Sequence, residues 1–301
     1  MKPGSLATMA LLTLSFCAMA VALGVRTTAQ TPAPNATSLA DADQKIITMD
    51  RALVVSLENG DGAALVKAGD ADLSWTDPRG HLRMGADIRA AIASGALKPV
   101  LGAGEDVQVI LHRYGLQMAV VQRHKDKIHS QHIWVERATG WRLLDIAEII
   151  EFAKVPYGGT TINASCTNPC QIVPFVGANP SQQAVIASWQ EQQTGPEGWL
   201  RRVSEDNVAF STNGTSTRAD RIAVMNQEKA SGASVASAPL VWARIWDFQG
   251  GAVMLSIQQG NNAKAFWASR AFANKGGNWQ MTESFQTIIQ DSQAMSPMPG
   301  K

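Results

Sequence analysis

Trp242, Arg244 and Trp246 stand at alternate positions of one predicted strand and therefore share a face. A guanidinium set between two indoles can grip a carboxylate or planar group of a ligand; it can equally pair with an internal acid inside an aromatic core. All five histidines, His81, His112, His124, His129 and His132, fall in the first half of the chain. His124, His129 and His132 flank one hairpin. With its turn at Lys125-Asp126, His129 and His132 point to opposite faces, so shared coordination of a metal is not expected. No Gly-x-Ser-x-Gly element, phosphate-binding glycine loop or dinucleotide fingerprint occurs, so neither a serine nucleophile nor a cofactor is expected.

Residues 1–29 read as an export signal: Lys2 precedes an uncharged run from Ala7 to Val25, followed by small residues that allow a cut after Ala29 or after Ala20. The same run approaches spanning length, so an uncleaved anchor stays open as the alternative. Removing the signal leaves Cys166 and Cys170 as the only cysteines, an even pair that suggests a disulfide in an exported chain. The small ring it closes is worth about 2 kcal/mol, enough to stiffen a connector. The expected location is periplasmic or secreted. A formal net charge of +1 leaves no basic excess to hold a phosphate backbone, so nucleic acid is not an expected partner, nor is a membrane once the signal is gone.

Whatever chemistry these residues do, two similar frameworks must position it. The stretch from Ile128 to Ile149 reads as two strands folded back through a turn at Ala138-Thr139-Gly140, and the pattern returns near the C-terminus. Trp141 and Trp279 each follow a glycine-containing turn; His132 and Arg270 precede them by nine residues, and Asp145 and Glu283 follow by four. In the first copy Ile46, Met49, Leu53 and Leu57 recur at helical spacing, with Asp41 or Asp43 placed to cap that helix. A short helix over 62–68, a hairpin turning at Asp77-Pro78-Arg79-Gly80, a helix over 86–93 and a four-strand meander follow. The second copy repeats the order, with Ala219-Asp220 standing where Ala86-Asp87 stood. Both faces of the meander strands are apolar, which predicts that one covers helices and the other a second sheet.

Each copy resembles the nuclear transport factor 2-like superfamily in its SnoaL-like and ketosteroid-isomerase-like branch. The features that carry the resemblance are the helix-rich start, the turn followed by a helix with Ala-Asp, and the penultimate strand, glycine turn and Trp-led last strand. It implies two tandem cone-shaped α+β barrels, each a curved, mostly antiparallel sheet wrapped around helices, docked on each other as an intramolecular pseudo-dimer. The expected boundaries are a flexible segment over 30–41, copies over 42–150 and 181–290, a linker over 151–180 and a disordered tail over 291–301.

The resemblance also implies a pocket between sheet and helices. In the first copy the matching residues are Asp77, His112, Tyr114, His132 and Asp145, of which a buried carboxylate would serve as general base beside Tyr114 or His132; the opposing reading puts Asp77 in its turn and Asp145 in solvent. In the second copy Arg244, Arg270, Trp242 and Trp246 are the ligand-binding candidates, and the absence of Tyr and His there departs from the isomerase pattern. Three functions follow as expectations: a non-catalytic binder of a small apolar or amphipathic molecule, a cofactor-free isomerase, lyase or hydrolase centred on the first copy, or an envelope interaction module. The chain is expected to be a monomer with an internal pseudo-dimer, or a homo-oligomer.

Overall fold

The computed structural model describes residues 36–153, 176–233, 235, 238, 240–259 and 264–290. The export signal, Cys166 and Cys170 lie outside these residues. In the first half the elements run α1 (Ala36–Glu58), α2 (Gly62–Ala68), β1 (Gly69–Thr76), β2 (Leu82–Met84), α3 (Gly85–Ala93), β3 (Gln108–Tyr114), β4 (Met118–Lys125), β5 (Ile128–Arg137) and β6 (Gly140–Ile150). The second half follows with α4 (Pro180–Gln192), α5 (Pro196–Arg202), β7 (Val203–Ser211), β8 (Gly214–Thr217), α6 (Arg218–Ala230), β9 (Leu240–Phe248), β10 (Gly251–Gln258), β11 (Phe266–Lys275) and β12 (Asn278–Ile288).

Each half folds its strands into one six-stranded mixed sheet, in the order β2-β1-β6-β5-β4-β3 and then β8-β7-β12-β11-β10-β9. The single parallel pair is β1 with β6 in the first half and β7 with β12 in the second; the other pairs are antiparallel. Two curved sheets of one topology, each laid over three helices, are the tandem cone-shaped α+β folds expected from the sequence.

Local chemistry sets the element ends. The Asp61 carboxylate accepts from the Ala63 and Ala64 amides and starts α2. Thr217 and Asp220 form a reciprocal capping box that starts α6. The first helix begins at Ala36, upstream of the expected caps. Asp41 and Asp43 therefore lie inside α1, where Asp43 pairs with Arg113 of β3 at 2.7 Å. The β4–β5 turn also falls one residue later than expected, because Asp126 adopts φ +53° and Lys125 pairs with Ile128.

Three larger cores and a smaller cluster of Ala147, Ile149, Phe210 and Phe285 account for the apolar pattern among the described residues. Inside the first cone Ile46, Leu53 and Leu57 of α1 pack on Trp75, Val121, Trp134 and Ile146. Inside the second, Val185 and Trp189 of α4 pack on Met254, Phe272 and Met281. The third core lies between the sheets, where Met118, Val120, Ile133 and Val135 meet Trp246, Val253, Leu255 and Trp267. This face-to-face packing explains why β4, β5, β10 and β11 are apolar on both sides.

Gln131 Nε2 donates to Ser269 Oγ at 3.0 Å across this layer. The two residues are 138 positions apart, the spacing that separates Trp141 from Trp279 and Asp145 from Glu283. Equivalent residues in contact mark an approximate two-fold axis between the halves. Near it the β3–β4 and β9–β10 turns meet so closely that a Cβ on Gly115, at φ +68°, would stand 2.0 Å from the Gln249 carbonyl oxygen.

Candidate functional site

The four candidate catalytic residues do not converge. Asp77 closes the β1–β2 turn, accepting from the Arg79 and His81 amides at 2.9 and 3.0 Å and pairing with Arg83 at 2.8 Å. His132 points into the first cone, whereas Tyr114 and Asp145 lie on the opposite face of the same sheet, between the halves. Asp145 is fully buried instead of solvated: the Ser74 and Ser269 hydroxyls donate to it at 2.5 and 2.6 Å. It reaches the inter-sheet face through a bulge in β6, where the register shifts between Ile133 and Trp134 of β5.

Inside the first cone, His132 belongs to a closed network around Asp50. One Asp50 oxygen meets His132 Nδ1 at 2.6 Å and Trp134 Nε1 at 3.0 Å; the other pairs with Arg123 at 3.0 Å. Arg123 also donates to the Gly102 carbonyl at 2.7 Å, and His132 Nε2 contacts Ser130 Oγ at 2.9 Å. Burial alone would raise the Asp50 pKa, but His132, Arg123 and Trp134 together hold it below the usual carboxylate range. Every member of this network is used by another, so it braces the cone. Asp50 was readable in principle, being a carboxylate at the helical position between Ile46 and Leu53 on the apolar face of α1.

Glu148 is the neighbouring internal acid, accepting from Trp75 Nε1 and the Val100 amide at 2.9 Å each. Burial pushes its pKa up to about 8. His124 lies the other way, pushed down to about 4 by burial and by the neighbouring His129 and His112. The signs are opposite. Glu148 holds a proton in the fold that the unfolded chain releases above its ordinary value, so its contribution to stability falls as pH rises toward 8. His124 stays neutral in the fold, so its contribution is lost only as pH falls below its ordinary value. Between pH 6.5 and 8 Glu148 pulls stability down, in the same direction as the buried Asp145 and Glu283 carboxyls that burial also raises, and stability should fall by ~2 kcal/mol or more. Urea unfolding at the two pH values checks this; a flat or rising profile would contradict it.

In the second half the sheet separates Arg270 from the other ligand-binding candidates. Arg270 points into the cone, donating to Ser256 Oγ at 2.9 Å and to Gln258 Oε1, and burial pushes its pKa down to about 9. Trp242, Arg244 and Trp246 face the first half. There Arg244 pairs with Asp72 at 2.7 Å, Trp246 Nε1 donates to the other Asp72 oxygen at 3.0 Å, and the guanidinium lies 4.7 Å from the Trp246 ring centre. Trp242 meets Trp267 edge to face at 5.9 Å. The arginine of the aromatic strand thus does hold a carboxylate, one supplied by β1 of the same chain.

The remaining polar groups gather in a cavity of about 520 Å³ between the halves. Ile110, His112 and Tyr114 of β3 form one wall, Gln122, His124 and His129 the floor, and Asp206, Val208, Phe210 and Glu283 the opposite wall. Glu283, the counterpart of Asp145, accepts from Tyr114 Oη at 2.5 Å and Gln122 Nε2 at 2.7 Å. Burial raises the Glu283 carboxyl, and burial with the adjacent Glu283 holds the Tyr114 phenol well above its usual value. His124 and His129 face each other at 2.9 Å between their Nδ1 atoms, and His124 stacks on Phe210 at 4.8 Å. The turn at Asp126-Lys127 sets them directly opposite each other on the inter-sheet face, and His132 takes the other face. Among the described residues no three acidic, histidine or cysteine side chains converge to hold a metal ion. Apolar walls, neutral imidazoles and a few directed acceptors suit reversible binding.

No family model matches the chain, and no curated protein matches it. Similar solved structures include an NTF2-like protein of unknown function in nutrient uptake from Rhodospirillum rubrum, 17% identical, with TM-score 0.30, covering 36% of this chain and 98% of its own. A protein of unknown function from Pectobacterium atrosepticum is 21% identical, TM-score 0.30, over 39% of this chain and 94% of its own. A putative ketosteroid isomerase from Parabacteroides distasonis is 9% identical, TM-score 0.29, over 39% and 94%.

Proposed function

We propose that this chain is an exported, non-catalytic binding protein of the SnoaL-like kind that holds a small amphipathic molecule between its two halves. The observation that carries the reading is the cavity of about 520 Å³, in the size range of small-molecule sites, which is lined by apolar Ile110, Val208 and Phe210 together with polar Gln122 and Glu283. The dispersal of Asp77, Tyr114, His132 and Asp145 speaks against an isomerase or hydrolase in the first cone. Proton abstraction needs its acid and base within reach of one substrate; here the sheet lies between Asp145 and His132, and Tyr114 is bonded to Glu283 instead of Asp145. The internal acids and bases are committed to one another, which favours holding a ligand over transforming it.

The test is ligand-observed saturation-transfer NMR on the full chain, using single-ring aromatics in neutral, cationic and anionic forms. At least one should bind, and Val208→Trp, which fills the cavity from β7, should abolish the signal. Binding by none of them, or binding indifferent to Val208→Trp, would overturn the assignment.

A further inference from the structure

The approximate two-fold axis places a second copy of the binding wall on the other side of the interface, and that copy is closed. Asp72 precedes by two residues Ser74, which pairs with Asp145; Asp206 precedes by two Val208, which pairs with Glu283. Across the interface, Arg244 and Trp246 precede Phe248 by four and two residues, as Ile110 and His112 precede Tyr114, and Phe248 and Tyr114 pair with the corresponding positions Gly251 and Met118. Asp72 thus corresponds to Asp206, Arg244 to Ile110 and Trp246 to His112. At the closed copy the Arg244 guanidinium fills the space in front of the carboxylate and rests on an indole. At the open copy Ile110 is 44% exposed and supplies no cation, and Asp206 faces the cavity.

Resting on the binding site proposed above, we infer that the open cavity takes a ligand bearing a planar or compact cation, a guanidinium, amidinium or amine, which sits on Asp206 as Arg244 sits on Asp72. The chain itself supplies the template: a carboxylate, a planar cation and an aromatic ring in one stack. Phe210 and the imidazoles of His112 and His124 provide the aromatic wall at the open copy. Asp206 is held below the usual carboxylate range first by the Ser204 hydroxyl, which donates to it. Lys275 donates to Ser204 at 2.8 Å, and Lys275 and His112 also lower Asp206 through charge, but neither forms an ion pair with it among the described residues. Glu283 deepens the acceptor character of the same wall, where its carboxyl is already bonded to Tyr114 and Gln122.

The probes are benzamidine, benzamide and benzoate, of like shape with positive, neutral and negative head groups, titrated against the full chain by calorimetry. Benzamidine should bind at least about ten-fold more tightly than benzamide, the step that one charge-assisted contact supports, with benzoate weakest. Asp206→Asn should erase the preference of benzamidine over benzamide. Ile110→Arg, at an exposed position that tolerates the change, should supply the cation internally and abolish benzamidine binding. Equal binding of benzamidine and benzamide, or a preference that survives Asp206→Asn, would overturn the cation assignment and leave the cavity assignment standing. Binding by none of the three would overturn both. Undiminished benzamidine binding to Ile110→Arg would overturn the correspondence with the Arg244 site.

Discussion

Replacing Asp50 by alanine should destabilise the protein by about 3–5 kcal/mol, because it strands a buried cation with no counter-charge. Arg123 is 2% exposed and its one ion pair among the described residues is with Asp50. Without that carboxylate the guanidinium keeps, among the described residues, the Gly102 carbonyl, while His132 and Trp134 each lose an acceptor. Asp50→Asn preserves volume and removes the charge, so it should lie near the lower end of that range. Adding Arg123→Met to Asp50→Asn should recover part of the loss, since the uncompensated cation is then gone. Urea unfolding followed by tryptophan fluorescence reads all three variants. A loss below ~1 kcal/mol for Asp50→Ala would mean that the network is not what braces the first cone.

The second large effect belongs to the layer between the sheets. Leu255 is fully buried there, on β10 and opposite Ser269 of β11, close to the two-fold axis. Truncation to alanine removes contacts from both halves at once and should cost about 2–5 kcal/mol. Leu255→Asp places an unpaired charge in the same space and should prevent cooperative folding of the full chain. A sheet face that merely met water would tolerate both changes with less than ~1 kcal/mol of loss, so the pair decides whether that face is a core.

Much of this architecture was legible because strands declare their faces. The echo of Trp141 and Asp145 in Trp279 and Glu283 announced two similar frameworks, and the doubly apolar strands announced that the sheets would cover each other. The site was less legible, for two reasons. A bulge in β6 turns Asp145 into the interface, and the corresponding shift between Ala271 and Phe272 turns Glu283 likewise; alternation alone gives no sign of either. The second reason is partner identity. Arg244 between two tryptophans reads equally as a ligand clamp or a paired core residue, and only the fold brings Asp72 to it across 172 positions of sequence. Asp50 hid for a related reason, since a lone acid on an apolar helix face has meaning only once Arg123 and His132 are known to lie opposite.

The docking of the halves can be observed through one methyl group. The Met118 Cε lies within 3.0 Å of the position a Cβ on Gly251 would occupy, which joins β4 of the first half to β10 of the second. In a sample labelled at methionine methyls, Met118 should show a nuclear Overhauser effect to the Gly251 α-protons. Its intensity should be independent of protein concentration, and it should persist when labelled chain is diluted into unlabelled chain. Absence of that cross-peak, or its disappearance on dilution, would contradict two halves sealed sheet to sheet within one molecule, and with them the cavity they enclose.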